Sequence, residues 1–223
     1  MRHLTRVNWE SVERPPALAP GELHIWRCDL DRAPCHPQWL APAERQRQQA
    51  FRDRLAGQRS CASRTLLRHL LSGYLSIPPW DMELVRGEHG KPRLGGDHAS
   101  WTFNLSHSGD AALYAIGRDL EVGIDIERSR EIPNALGIAR RVMSDAEIDE
   151  LASAGSDTAT FLRLWTRLEA RQKCLGEGVF GRRVGDAQVG WLSFPAGEGL
   201  QACVAWADPG VDPGMRFLEL GSF

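Results

Sequence analysis

The chain has 223 residues, of which 42% are hydrophobic and 25% are charged, and its formal net charge is −2. This composition is ordinary for a globular protein of one large or two small domains. It argues against a general nucleic-acid or membrane-surface binder, which needs an excess of positive charge. Residues 1–16 lack the apolar core of a signal peptide, and no stretch is apolar enough to cross a bilayer. We expect a cytoplasmic protein that is a monomer and binds neither nucleic acid nor a membrane.

The first part of the chain predicts a strand followed by helices. Residues 22–30, ELHIWRCDL, alternate in the manner of a strand. Pro42, which suits a first helical turn, opens a helix-rich region that continues to residue 75. Leucines and Tyr74 recur there at helical spacing and predict one buried face. The opposite faces carry a run of arginines, which is either a solvated surface or a place for an anion: Arg45, Arg47, Arg52, Arg54, Arg59, Arg64 and Arg68.

The middle of the chain predicts two hairpins and a short strand. Residues 82–94, MELVRGEHGKPRL, read as a hairpin with a glycine-rich turn. Residues 101–109, WTFNLSHSG, read as a short strand that runs into polar turn residues. AALYAIG at 111–117 and LEVGIDIE at 120–127 are predicted to pair as the second hairpin.

The remaining part of the chain predicts two helices. Ser144 and Glu147 have the spacing of a capping box and predict a short helix. A longer helix is predicted over residues 158–175, with an end near Gly176 and Gly178.

The tail predicts three strands, VGWLSF, LQACVAWA and MRFLEL. Helices and antiparallel strands therefore occur in both halves of the chain. This favours an α+β doublet with an N-terminal lobe at residues 1–110 and a C-terminal lobe at residues 111–223.

The cysteines do not predict a disulfide or a zinc site. Their number is odd, and no pair has CxxC spacing. We therefore expect buried or incidental thiols at all of these positions: Cys28, Cys35, Cys61, Cys174 and Cys203.

Lysine is rare in this chain. Of the 27 basic side chains only Lys91 and Lys173 are lysines, and the others are arginines. A lysine in such a chain indicates that a compact ammonium group is needed, and lysine binds phosphate as a point charge. The GEHGKP stretch around Lys91 does not have the spacing of a Walker loop, but a lysine on such a turn can still reach a phosphate.

Two pairs of charged residues are candidates for chemistry. Asp125 and Glu127 in GIDIE lie on one face of a strand, about 7 Å apart, where they repel unless water or a cation screens them. They are either solvated acids or ligands of a hard cation such as Mg²⁺. Glu169 and Lys173 are four apart on one helix face, which is either an exposed pair contributing about 0.3–0.5 kcal/mol or part of a diphosphate site.

The NLSHS stretch places hydroxyl and imidazole groups side by side. Ser106 and His107 are neighbours on a strand and diverge, so they are poorly placed for a catalytic Ser-His pair. The stretch is either a turn with local hydrogen bonds or a donor cluster for an anion.

In chain order, GKPRL, FNLSHSGD, GIDIE and WTRLEARQK resemble the signature of the surfactin-synthetase-type 4′-phosphopantetheinyl transferases. That family shows GKP, F-N-x-S-H-S, G-I/V-D-I/V-E and W-S/T-x-K-E-A-x-x-K, and the resemblance covers about residues 23–180. It implies a pseudo-dimer of two similar α+β lobes with coenzyme A in the cleft between them. It also implies transfer of the phosphopantetheine arm to a serine of an apo acyl or peptidyl carrier protein, with release of adenosine 3′,5′-bisphosphate. Carriers of fatty-acid, polyketide and nonribosomal peptide synthesis fit the resemblance equally.

The resemblance also implies roles for individual residues. Asp125, Glu127 and Glu169 would bind Mg²⁺, and Glu169 would also be the general base toward the carrier serine. Lys173 would neutralise the diphosphate as charge builds on the leaving group. The phosphates of the coenzyme would be bound by Lys91, Ser106 and His107, and by Arg64 together with Arg45 or Arg47.

The chain departs from the family pattern in its last motif. Leu168 stands where the family has lysine, and Arg171 stands where it usually has an aromatic residue. We hypothesise that Leu168 fills the space and Arg171 supplies the charge; alternatively, the missing lysine is peripheral and nothing replaces it. Two other functions stay open: a protein that binds coenzyme A and a carrier without transfer, and a Mg²⁺-dependent hydrolase of the coenzyme A diphosphate.

Overall fold

A computed structural model describes residues 2–87, 90–176 and 189–221. The elements in these ranges are β1 (Arg2–His3), β2 (Glu10–Val12), β3 (Glu22–Asp29), α1 (Pro42–Gln49), α2 (Arg54–Leu75), β4 (Leu84–Arg86), β5 (Pro92–Leu94), β6 (Trp101–Ser108), β7 (Ala111–Arg118), β8 (Val122–Arg128), α3 (Ala135–Val142), α4 (Asp145–Ser153), α5 (Thr158–Leu175), β9 (Val189–Gly197), β10 (Leu200–Ala207) and β11 (Gly214–Leu220). No helix among the described residues has the length and apolar character needed to span a bilayer.

Two large sheets form a sandwich with one long helix on each outer face. Their strand orders are β2-β11-β3-β7-β6 and β1-β9-β10-β8, and β4 pairs with β5 in a separate hairpin. The facing sides of the sheets share a buried apolar layer that includes Ile25, Leu113, Ile124 and Phe194. The long helix α2 packs on the outer face of the five-stranded sheet, and α5 packs on the outer face of the four-stranded sheet. The predicted α+β architecture in two lobes is confirmed.

The strands of the two sheets do not follow the chain in two successive blocks. The C-terminal strand β11 pairs with β2 and β3, while the N-terminal strand β1 pairs with β9. The turn at residue 110, where the boundary between lobes was predicted, lies inside the β6–β7 hairpin. The chain passes from the five-stranded sheet to the four-stranded sheet between β7 and β8.

The predicted helix ends agree with the structure. Pro42 is the first residue of α1, and Ser144 and Glu147 form the predicted capping box of α4. The helix α5 spans Thr158–Leu175 and ends at Gly176, which has the left-handed φ of 75° that glycine adopts without strain. Gly178, the second predicted end, lies outside the described residues.

Two strand predictions are wrong. The polar stretch Ser106–Ser108 is not a turn but the end of β6. The strand β7 does not pair with β8, because β3 and β6 already occupy both of its edges. The strand β8 instead pairs with β10 in the other sheet.

The prediction that all five cysteines are thiols is also wrong. Cys35 and Cys61 lie 26 positions apart in the chain and form a disulfide, with their Cα atoms 5.2 Å apart. The pairing depends on the loop before α1 folding back onto α2, which cysteine spacing alone does not indicate. Cys28, Cys174 and Cys203 are free thiols, and burial raises the pKa of each to about 12.

A buried histidine on β3 makes the fold sensitive to acid. His24 has no exposed surface, and its Nδ1 lies 2.6 Å from the Tyr74 hydroxyl. Burial, together with a smaller effect of the Arg216 charge, lowers the pKa of His24 from 6.5 to about 4. The unfolded chain therefore takes up a proton at a higher pH than the folded chain does, so stability falls as the pH drops from about 6.5 toward 4.

We expect the His24→Gln variant to lose less stability in acid than the wild type. The histidine accounts for about 2 kcal/mol of destabilisation between pH 7 and pH 5. Urea unfolding at both pH values measures this difference, and His3→Gln, at an exposed position, is the control. An equal pH dependence in wild type and His24→Gln would contradict the prediction.

Candidate active site

The two sheets meet where their edge strands β6 and β8 run side by side. Asn104, Ser106 and Ser108 alternate along β6 and point toward β8. Asn104 accepts a hydrogen bond from the β8 backbone at 2.9 Å, Ser106 donates to Asp125 at 2.8 Å, and Ser108 donates to Glu127 at 3.3 Å. These side chains hold the two edges together and fix the faces on which the two acids lie. The sequence interpretation gave Asn104 no role, although the alternation with Ser106 was the available signal.

A glycine allows α5 to lie directly on β8. A Cβ atom at Gly123 would collide with the backbone of Ala170 and Cys174. Because Gly123 has no side chain, strand and helix meet at backbone contact. This contact places Glu169 and Lys173 beside Asp125.

One ammonium group joins Asp125 of β8 to the helix α5. The Nζ of Lys173 lies 2.6 Å from Asp125 Oδ1, 3.1 Å from Ser106 Oγ and 3.3 Å from Glu169 Oε2. Of the predicted residues, the structure therefore brings Ser106, Asp125, Glu169 and Lys173 to one point.

Burial and charge act against each other in this cluster. Burial raises the pKa of Asp125 and Glu169 adds to the effect, while Lys173 lowers it. Burial alone would lower the pKa of Lys173, but the charges of Asp125 and Glu169 raise it. Asp125 and Glu169 therefore hold the charged ammonium group of Lys173 between them.

The third predicted metal ligand, Glu127, pairs with an arginine instead of with Lys173. Glu127 Oε2 lies 2.7 Å from Arg130, and no group of three or more His, Cys, Asp or Glu side chains converges on a metal position within the described ranges. The set still suits a hard cation: Asp125 Oδ2 is buried without a hydrogen-bond partner among the described residues, and Asp125 and Glu169 already share a positive charge.

The opposite face of β6 turns toward basic residues of α2. Partial burial lowers the pKa of His107, and the charges of Arg64, Lys173 and Arg59 lower it further. His107 therefore lies within a positive field that favours an anion. His107 is still partly open to solvent, and its neutral ring can donate a hydrogen bond.

A cavity of about 170 Å³ lies beside α2 and the β4–β5 hairpin. Arg47, Arg64 and Arg68 line it, together with Glu44, which lies 3.8 Å from Arg64 and 3.0 Å from Arg68. Arg45 is not among its lining residues; its guanidinium donates instead to the Leu40 carbonyl at 2.9 Å.

Lys91 lies beside Glu121 and the start of β8, and it lines a cavity of about 100 Å³ together with Arg93 and Glu121. Its side chain is 8% exposed, and Nζ donates to Glu121 Oε2 at 2.9 Å, the Val122 carbonyl at 2.7 Å and the Cys174 carbonyl at 3.4 Å. The three donors of its ammonium group face protein oxygens in this arrangement, and the role of Lys91 in binding a phosphate of the coenzyme stays a prediction.

Arg171 lies on the far side of α5 from Glu169 and Lys173. Two positions along a helix turn the side chain by about 200°, and Arg171 is 2% exposed with its Nη1 3.7 Å from Glu147. Leu168 is buried in an apolar cluster, as the space-filling half of the hypothesis predicts. The other half, in which Arg171 supplies charge to the coenzyme, gains no support from this arrangement.

Comparisons with known proteins agree with the motif order. Residues 121–199 match the 4′-phosphopantetheinyl transferase superfamily, and residues 25–117 match a 4′-phosphopantetheinyl transferase N-terminal domain. The chain is 34% identical over 178 residues to the 4′-phosphopantetheinyl transferase HetI of Nostoc sp., covering 75% of each protein. It is 32% identical over 162 residues to a putative 4′-phosphopantetheinyl transferase of Synechocystis sp., covering 70% of this chain and 66% of the relative. It is 39% identical over 121 residues to the 4′-phosphopantetheinyl transferase AcpT of Escherichia coli, covering 53% of this chain and 58% of the relative.

Proposed function

Because the chain belongs to the 4′-phosphopantetheinyl transferase superfamily, we propose that it transfers the phosphopantetheine arm of coenzyme A to a serine of an apo acyl or peptidyl carrier protein. Adenosine 3′,5′-bisphosphate is the second product. The supporting observation is the cluster in which Lys173 lies between Asp125 and Glu169, at the seam of the two lobes.

In the proposed reaction, the serine oxygen attacks the phosphorus that carries the pantetheine arm, and the bond to the bridging diphosphate oxygen breaks. Glu169, whose side chain is 18% exposed, would accept the serine proton. Lys173 would stabilise the negative charge that builds on the departing phosphate. The reaction depends on positioning and on charge, both of which a rigid seam between two sheets supplies.

The coenzyme would be held on the α2 side of the seam. His107 would donate to a phosphate oxygen there, and Arg64 and Arg47 would bind the 3′-phosphate in the cavity that they line. Ser106 lies on the β8 side of β6 and would donate to a diphosphate oxygen in place of Asp125. An arginine pair suits a phosphate because guanidinium groups donate two parallel hydrogen bonds.

Asp125, Glu127 and Glu169 would hold Mg²⁺. When bound, the ion neutralises diphosphate oxygens as a Lewis acid. Glu127 would exchange its bond to Arg130 for the metal, whereas Asp125 offers an oxygen that has no hydrogen-bond partner among the described residues.

The intact mass of apo carrier proteins after incubation with coenzyme A and Mg²⁺ tests this function. A panel of acyl and peptidyl carriers is used, with the serine-to-alanine form of each as control. We expect a gain of one phosphopantetheine unit on at least one carrier, and loss of that gain when the metal is chelated. Coenzyme binding without any mass gain would favour a non-catalytic binding protein, and release of phosphopantetheine without a carrier would favour a hydrolase.

A further inference from the structure

The two lysines of this arginine-rich chain have environments of the same kind. Each ammonium group lies among three oxygen atoms, and the side chain of Lys91 is 8% exposed and that of Lys173 29% exposed. A planar guanidinium does not fit such a compact site, which accounts for lysine at these positions. Lys173 belongs to the active site described above, whereas Lys91 contacts none of its side chains in the bonds described.

The partners of Lys91 come from separate parts of the chain. Lys91 precedes β5 in the N-terminal lobe, Glu121 lies in the link between β7 and β8, and Val122 is the first residue of β8. Cys174 lies in the last turn of α5, directly after Lys173. One ammonium group therefore ties the N-terminal lobe to the strand and to the helix that carry the catalytic acids.

The hydrogen bond from Lys91 to the Cys174 carbonyl satisfies a group at the C-terminal end of α5. The last four carbonyl groups of an α-helix have no partner within the helix and carry partial negative charge. The Gly176 amide bonds to the Gln172 carbonyl, and Lys91 donates to the Cys174 carbonyl. Because the ammonium group of Lys91 is largely buried at the C-terminal end of α5, it favours one position of the last turn of this helix over others.

We propose that Lys91 is a positioning residue, which fixes the last turn of α5 on β8 and so sets where Glu169 and Lys173 lie relative to Asp125. The proposal rests on the transferase function proposed above. It differs from a phosphate-binding role, because the three donors of the ammonium group face protein oxygens and Glu121 beside them would repel a phosphate.

Kinetics of Lys91→Met and Glu121→Gln separate the two roles. If Lys91 acts through α5, both variants lower kcat about tenfold and leave KM for coenzyme A within about twofold. The double variant is then no worse than either single variant, because both changes break one interaction. If Lys91 binds phosphate, Lys91→Met raises KM while Glu121→Gln leaves it unchanged or lowers it, and that result would overturn the proposal.

Amide hydrogen exchange tests the positioning role without reference to catalysis. We expect exchange of the amides at 171–175 to be about tenfold faster in Lys91→Met and in Glu121→Gln, with α2 unchanged. Arg93→Gln is the matched control, because Arg93 pairs with Glu121 but is 48% exposed and makes no bond to the helix in the contacts described. Unchanged exchange in both variants would overturn the positioning role. A wild type that modifies no carrier would refute the transferase function alone, and the exchange result would still decide the role of Lys91.

Discussion

Replacing Glu169 by glutamine is expected to lower the turnover of carrier modification about 100- to 10,000-fold. Glutamine keeps the shape of the side chain but cannot accept the serine proton. It also removes one of the two carboxylates around Lys173. Single-turnover measurement of carrier mass at saturating coenzyme A isolates this chemical step from product release.

The matched control for Glu169 is Glu150→Gln. Glu150 lies on α4, outside the cluster around Lys173. It pairs at 2.6 Å with Arg163 of α5, the helix that also carries Glu169. We expect this variant to retain turnover within about twofold, since exposed pairs contribute little. Binding of coenzyme A measured without metal should change little in Glu169→Gln. A Glu169→Gln protein that keeps more than a tenth of wild-type turnover would show that another group accepts the proton.

The second large effect is expected from a glycine that takes no part in the chemistry. An alanine at Gly123 would push against the backbone of Ala170 and Cys174, so α5 has to move away from β8. A shift of about 1 Å in catalytic groups can reduce turnover about 100-fold. Overpacking of this kind also costs about 1–3 kcal/mol of stability. Carrier modification and urea unfolding of Gly123→Ala measure both effects.

Gly214→Ala is the control for this substitution. A Cβ at Gly214 meets only the Glu22 side chain at 3.6 Å, an ordinary contact, so we expect unchanged turnover and stability. Full turnover in Gly123→Ala would mean that the close approach of helix and strand does not position Glu169 and Lys173.

Local patterns predicted most of the individual elements. The capping box at Ser144, the first helical turn at Pro42 and the end of α5 at Gly176 all agree with the structure. Each of these signals depends on bonds within about one turn of helix, so a short stretch of sequence contains all of the information.

The sequence predicted the positions of some of the reacting groups but not of all of them. Ser106, Asp125, Glu169 and Lys173 were expected at one site, and the structure brings them together. The strand and helix periods set the faces of Asp125, Glu169 and Lys173, whereas their convergence on one site was implied by the resemblance of the motifs to the family. Glu127 shares a face with Asp125 but pairs with Arg130, and the strand period does not predict that contact.

By itself, the sequence determined the α+β class, the order of the motifs and the choice of lysine at two positions in an arginine-rich chain. Only the tertiary structure decided that β8 leaves β7 for β10, that Cys35 meets Cys61, and that Lys91 bonds to α5. It also decided that Arg171 turns toward Glu147. The reason is physical: a strand pairs where an edge is free, and a buried charge or thiol finds its partner among surfaces that are distant in the chain. Those surfaces come into contact only when the two sheets and their helices pack.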